Sequence, residues 1–111
     1  MSSQPTMSEE RVKTIEITLK KDGTPQVASG QDKVFLDSKK DEEVIWVSKF
    51  PFRIDFKNGT PFYEDQFNQN HRRSGLVRRG VLASRVRYYE YTIEVNGKTL
   101  DPKILVFPGS D

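Results

Sequence analysis

The sequence predicts an all-β protein, an antiparallel Greek-key β-sandwich of about seven strands. Apolar residues alternate with polar residues over short stretches, which is the period of half-buried strands. Turn-forming pairs, Asp22-Gly23 and Asn96-Gly97, separate some of these stretches, because glycine adopts positive φ at little cost. No segment long enough for an ordinary helix shows helical periodicity. We therefore expect short strands connected by turns.

The first strands are predicted from alternation and from turn residues. Ile15, Ile17 and Leu19 alternate with polar residues, and Pro25 stands at the start of the next strand, where no ladder donor is required. The uninterrupted apolar run 44–47 predicts a central strand covered on both faces. The predicted strands in this half of the chain span residues 12–20, 25–29, 33–37, 43–48 and 52–56.

The C-terminal part reads as one long hairpin. Residues 68–80 are predicted as a loop, and residues 81–95 as one strand with Tyr89, Tyr91, Ile93 and Val95 on one face. Asn96-Gly97 then predicts a hairpin turn. The partner strand spans residues 98–106 and is kinked at Asp101-Pro102.

The domain organisation expected from composition is simple. Residues 1–10 are polar and lack periodicity, which predicts a disordered leader. Residues 11–108 form a single β-sandwich domain, and residues 109–111 form a frayed terminus. The leader has neither a basic region nor an apolar core typical of a secretory signal, so we expect a cytoplasmic protein.

Composition excludes several kinds of chemistry. The chain of 111 residues has 18 Lys+Arg, 16 Asp+Glu, one histidine and no cysteine, for a net charge of +2. Without cysteine there is no disulfide, cysteine-ligated zinc site, iron–sulfur cluster or thiol nucleophile. We expect no catalytic residues, no metal site and no cofactor, and predict that the protein is not an enzyme.

The order of the strands resembles the cupredoxin-like sandwich. Glu43-Val44-Ile45-Trp46-Val47-Ser48 precedes an aromatic alternating segment, and Tyr89-Glu90-Tyr91-Thr92-Ile93-Glu94-Val95 leads by a hairpin to Ile104-Leu105-Val106. Immunoglobulin-like sandwiches share much of this spacing, so both families stay open. The resemblance implies copper ligands in the last hairpin and after the Trp46 strand. Residues 96–102 and 49–54 contain no cysteine, histidine or methionine, so the resemblance implies a copper-free version.

The sharpest charge asymmetry lies between His71 and Arg87. This segment has six arginines and no acidic residue: Arg72, Arg73, Arg78, Arg79, Arg85 and Arg87. Arginine suits bidentate contact with phosphate, which predicts a candidate site for nucleic acid or another polyanion. The alternative is a solvated loop whose charges pair with Glu64, Asp65, Glu90 and Glu94.

A second candidate surface is aromatic. Phe50, Phe52, Phe62 and Tyr63 flank turns, where exposed rings would mark a partner surface. Packing in the core is the alternative for these rings.

Three functions follow from these patterns. The first is a non-catalytic interaction module that contacts another protein through a sandwich face or edge strand. The second is binding of nucleic acid or another polyanion through residues 71–87. The third is hydrolysis using His71 near Ser74. No membrane contact is expected.

Overall fold

Ten short strands and no helix make up the part of the chain that the computed structural model describes, residues 11–78 and 86–107. This confirms the predicted all-β class. The strands are β1 (Val12–Leu19), β2 (Pro25–Val27), β3 (Lys33–Asp37), β4 (Glu43–Val47), β5 (Arg53–Asp55), β6 (Gln66–Asn68), β7 (Arg87–Glu90), β8 (Thr92–Val95), β9 (Lys98–Leu100) and β10 (Lys103–Phe107). The predicted leader and frayed terminus lie outside the described residues.

One sheet has the order β2-β1-β4. Strands β1 and β2 are antiparallel, whereas β1 and β4 are parallel with Ile15 beside Trp46. Alternation directs Ile15, Ile17, Val44 and Trp46 inward, and all four are buried. This sheet therefore forms one wall of the sandwich.

The opposite wall is built around one long hairpin. Strand β10 lies between β3 and β7, and β5 and β8 form the centre of the order β6-β5-β8-β9. Lys103 is opposite Glu90 in the first of these sheets, and Leu100 is opposite Ile93 in the second. The two arms of the hairpin therefore keep one pairing register through both sheets. Most strand pairs are antiparallel, but β3 joins β10 in parallel.

The core between the walls is rich in aromatic rings. The ring of Phe56 stacks on Tyr91 with centroids 4.8 Å apart, and Trp46 lies 5.0 Å from Phe67. Phe62 meets Phe56 edge-on at 5.8 Å. Such geometries favour aromatic packing beyond simple burial.

The strand count and two strand predictions need correction. Pro102 has no N–H, so ladder pairing is interrupted there, and within the described residues each arm of the hairpin divides into two strands. Residues 81–85 of the predicted strand lie outside the described residues. The tenth strand is the short β6, which was not among the predicted strands. Strand β4 is not covered on both faces, because Ile45 and Val47 are only half-buried.

Candidate binding surfaces

The arginine-rich segment begins beside strand β4. Arg73 forms an isolated bridge with Ile45, and its guanidinium contacts both carboxylate oxygens of Glu43, at 2.9 and 3.2 Å. The hydrogen bond and the charge of Glu43 raise the pKa of Arg73 above its usual value. Arg73 is therefore already paired with a carboxylate of its own chain.

The other described arginines lie on separate parts of the molecule. The Nε of Arg78 donates to the carbonyl of Thr60 at 3.0 Å. Arg72 is exposed next to β4, and Arg87 is exposed on β7 of the opposite wall. Arg79 and Arg85, which belong to the same predicted site, lie outside the described residues. Arg72 and Arg73 therefore both lie beside β4, whereas Arg78 and Arg87 lie on other parts of the structure.

Two of the four expected acidic partners of these arginines contact other residues. Glu94 lies 3.5 Å from Arg53, and Glu64 contacts His71. For Arg73 the expected pairing is wrong, because its carboxylate is supplied by Glu43, thirty residues away in the sequence. Strand pairing, which sequence spacing does not reveal, brings the two residues together.

His71 and Ser74, the candidate catalytic pair, have different surroundings. The Nε2 of His71 lies 2.5 Å from Oε1 of Glu64, and its ring stacks on Phe67 with centroids 5.4 Å apart. The buried hydroxyl of Ser74 accepts a bond from the N–H of Val44 and donates its own proton to the carbonyl of Gly75, both at 2.8 Å. A serine nucleophile directs its proton to a base. In Ser74 that proton is held by the backbone.

Two of the four predicted partner-surface aromatics belong to the core. Phe52 is 3% exposed and Phe62 is fully buried, which corrects the prediction for these two rings. Phe52 shares the inward face with Ile54, and turns on either side do not change that alternation. Phe50 is half-buried against the core, whereas Tyr63 is 69% exposed.

The two stretches in which the predicted resemblance would place copper ligands lie close together. The β4–β5 connection and the β8–β9 turn border a shallow pocket of about 330 Å³. The polar side chains there are the amides of Asn68, Gln69 and Asn96, the carboxylate of Glu94 and the guanidinium of Arg53. These groups do not fit type-1 copper, which needs thiolate and imidazole donors. Among residues 11–78 and 86–107, no three potential metal ligands cluster.

An unpredicted apolar surface lies on the outside of the β3-β10-β7 sheet. Phe35 is opposite Leu105 on one side, and Tyr88 is opposite Leu105 on the other. The ring of Phe107 lies 5.4 Å from that of Phe35. Phe35, Tyr88 and Phe107 are 47%, 65% and 38% exposed, while Leu105 is half-buried. We call Phe35, Tyr88, Leu105 and Phe107 the aromatic face.

Charged residues border the aromatic face at both ends. Lys33 and Lys103 are neighbours across β3 and β10, and Glu90 is opposite Lys103. Asp37 lies beside Phe107 at the other end. The alternation Lys-Val-Phe-Leu-Asp in β3 carried the relevant signal, because Phe35 between two inward residues has to point outward.

Comparison of the chain with protein-family models, with curated proteins and with solved structures gave no match. Within the described ranges, no helix has the length and apolar character needed to span a lipid bilayer.

Proposed function

We propose that this chain is a non-catalytic protein-binding module whose partner protein docks on the aromatic face. The observation that carries the proposal is the contiguous exposure of Phe35, Tyr88 and Phe107 on one sheet. Single exposed apolar residues are ordinary on a monomer, whereas a contiguous group marks an interaction surface. Aromatic residues also supply much of the binding free energy in protein interfaces.

The charges at the border indicate the chemistry of the partner. Lys33 and Lys103 are side by side on the same face, and like charges in adjacent strands are unfavourable. Glu90 is opposite only Lys103. The proposed partner therefore presents apolar side chains to the rings and an acidic group to the lysine pair.

A cupredoxin-like, copper-free sandwich is part of the proposal. In support, β4 with Trp46 leads into β5, and the long hairpin leads into the last strand, in the order that the resemblance implies. The absence of cysteine from the sequence supports a function without copper and is compatible with a cytoplasmic location.

Polyanion binding through residues 71–87 is the alternative function and has less support. Arg73 is paired with Glu43, and Arg78 donates to Thr60. Arg72 and Arg87 are exposed but belong to opposite walls. A site for phosphate groups needs several cations on one surface.

The test combines capture with reconstitution. A photoreactive phenylalanine replaces Tyr88 and is cross-linked in a lysate. As a control, the photoreactive residue replaces Lys57 instead, which lies in an exposed turn. The protein captured through position 88 is purified, and its affinity is measured for the unmodified chain and for Tyr88→Ser/Phe107→Ser. We expect the double variant to bind at least about tenfold more weakly, and Lys57→Ser to bind normally.

Two outcomes contradict the proposal. One is equal capture through positions 88 and 57, which would indicate non-specific contact. The other is an unchanged affinity of Tyr88→Ser/Phe107→Ser for the purified protein. Circular dichroism and thermal melting confirm that each variant is folded.

A further inference from the structure

We infer that the open edge of β3 pairs with β3 of a second copy of this chain, antiparallel and centred on Phe35. The two β3-β10-β7 sheets then become one continuous sheet. The inference concerns the edge of the sheet and does not rest on the proposed function, because a monomer could still bind a partner on the aromatic face.

The edge of β3 offers unpaired backbone groups. Among the described strands, β3 pairs only with β10. Bonds from the N–H of Lys103 to the carbonyl of Asp32 and from the N–H of Ser38 to the carbonyl of Phe107 flank this ladder. Alternation along the ladder directs the backbone groups of Lys33, Phe35 and Asp37 away from β10. The N–H of Asp37 already donates to Oε1 of Glu42 at 2.7 Å.

An open groove borders the first half of this edge, from Lys33 to Phe35. It has a volume of about 680 Å³, with Lys33, Val34 and Phe35 on one side and Val12 and Thr14 of β1 on the other. An added strand lies about 4.8 Å from the strand that it joins. The groove gives such a strand access to the edge.

The sequence of β3 is complementary to itself when it is reversed. Antiparallel pairing centred on Phe35 sets Phe35 against Phe35 of the second copy and Lys33 against Asp37 of the second copy. In its own chain the Asp37 carboxylate lies 3.9 Å from Nζ of Lys40, a long contact at an exposed lysine that Lys33 of the second copy replaces. The same two-fold symmetry repeats the charge pair at the other end. Opposite charges and paired aromatic rings in facing positions both stabilise an antiparallel pair.

Other registers lose this match. A slip of two residues in one direction sets Lys33 against Lys39, and a slip of one residue turns the Phe35 side chain to the wrong face. The self-complementary charges are the reason why we assign the edge to a second copy instead of an unrelated extended peptide.

The hydrogen bonds available indicate a weak dimer. Two bonds join the Phe35 pair. The N–H of each Lys33 can donate to the second lone pair of the facing Asp37 carbonyl, which already accepts from the N–H of Lys40, so four bonds form without displacing Glu42. A short strand pair buries less area than a stable dimer interface. We therefore expect dimers only at high protein concentration, with a dissociation constant of up to about 1 mM.

The first experiment measures mass by sedimentation equilibrium on the full chain of 12.8 kDa. We expect a concentration-dependent dimer. Lys33→Asp should weaken it at least about tenfold, and Lys33→Asp/Asp37→Lys should restore it to within about threefold of the unmodified chain. Lys57→Asp is the control, because it changes the net charge equally at an exposed turn.

A second variant tests the edge without changing charge. The N–H of Phe35 faces away from β10, so Phe35→Pro removes an edge donor and leaves the ladder to β10 intact. We expect this variant to melt as a folded protein and to be monomeric. It also covers the case in which Asp37→Lys disturbs the turn held by the bond from Lys39 N–H to Asp37.

The register of the proposed strand pair is tested by cysteine cross-linking. Only the introduced cysteines can react, because the chain itself has no cysteine. Facing residues in an antiparallel pair lie about 5.5 Å apart, within disulfide range. A mixture of Lys33→Cys and Asp37→Cys should give a mixed disulfide, whereas Lys33→Cys with Thr99→Cys on β9 should not.

The inference is overturned by any of three results. These are a single-chain mass at all concentrations, a dimer that persists in Lys33→Asp or Phe35→Pro, and equal cross-linking of both cysteine mixtures. If the unmodified chain is a folded monomer and still binds its partner on the aromatic face, the inference fails and the proposed function stands.

Discussion

The indole nitrogen of Trp46 donates a hydrogen bond to the hydroxyl of Tyr91, with 3.1 Å between Nε1 and the oxygen. Trp46 lies on β4 of one wall, and Tyr91 lies between β7 and β8 of the opposite wall. Both residues are buried, and their rings meet edge-on at 5.7 Å. The bond joins the two walls and satisfies the only polar atom of the indole.

Removal of the Tyr91 hydroxyl should destabilise the fold. Tyr91→Phe leaves the buried N–H of Trp46 without its acceptor, and an unsatisfied buried donor costs about 1–3 kcal/mol. Urea denaturation followed by tryptophan fluorescence measures this change. Tyr63→Phe, at an exposed tyrosine, is the control and should unfold like the unmodified chain; equal midpoints for both variants would contradict the expectation.

Alkaline pH should destabilise the protein through the same residue. Burial raises the pKa of Tyr91 far above its usual value, although the bond from Trp46 acts in the opposite direction. Above about pH 10 the unfolded tyrosine loses its proton while the folded one keeps it, so the unfolded state binds fewer protons and stability falls as pH rises.

The measurement compares the unfolding free energy of the unmodified chain with that of Tyr91→Phe between about pH 8 and about pH 11. This range includes the usual tyrosine pKa of about 10. The stability difference between them should shrink as pH rises above 10 or so. A constant difference would show that Tyr91 does not cause the alkaline loss.

Ser74 should contribute stability and not catalysis. Its hydroxyl is the acceptor for the N–H of Val44, a fully buried residue in β4. Ser74→Ala leaves that donor unsatisfied, at a cost of about 1–3 kcal/mol. Ser29→Ala, at an exposed turn position, should be close to neutral. If thermal melting shows no difference between these variants, the bond is not stabilising.

Nucleic-acid binding should be weak because the described arginines do not converge. We expect a labelled oligonucleotide to bind with a dissociation constant no tighter than about 10⁻⁴ M at physiological salt. Fluorescence anisotropy at two salt concentrations measures this affinity. Tight, salt-sensitive binding that Arg72→Ala/Arg87→Ala abolishes and Arg73→Ala preserves would support the polyanion alternative instead.

Local sequence was sufficient for much of the fold. The predicted turn at Asn96-Gly97 is confirmed, with φ values of 52° and 81° at the two residues. The alternation around Ile54 correctly placed Phe52 and Phe56 on the same face, and both are buried. These features depend on neighbours a few residues apart, which is the range over which propensity and alternation act.

The candidate surfaces depended on contacts distant in sequence. Turn residues around Phe62 suggested exposure, but packing against Phe56 buries that ring. Arg73 was a candidate for an external anion, and strand pairing supplied Glu43. In both cases the decisive neighbour belongs to a separate element.

The sequence by itself determined an all-β chain, its main turns and the inward set of each clear alternation, because a strand directs successive side chains to opposite faces. It also excluded thiolate chemistry, since the chain has no cysteine. Only the tertiary structure decided that Phe35, Tyr88 and Phe107 share one uncovered face and that β3 ends its sheet. Alternation fixes which residues share a side of a strand, whereas the order of strands in the sheet decides what covers that side.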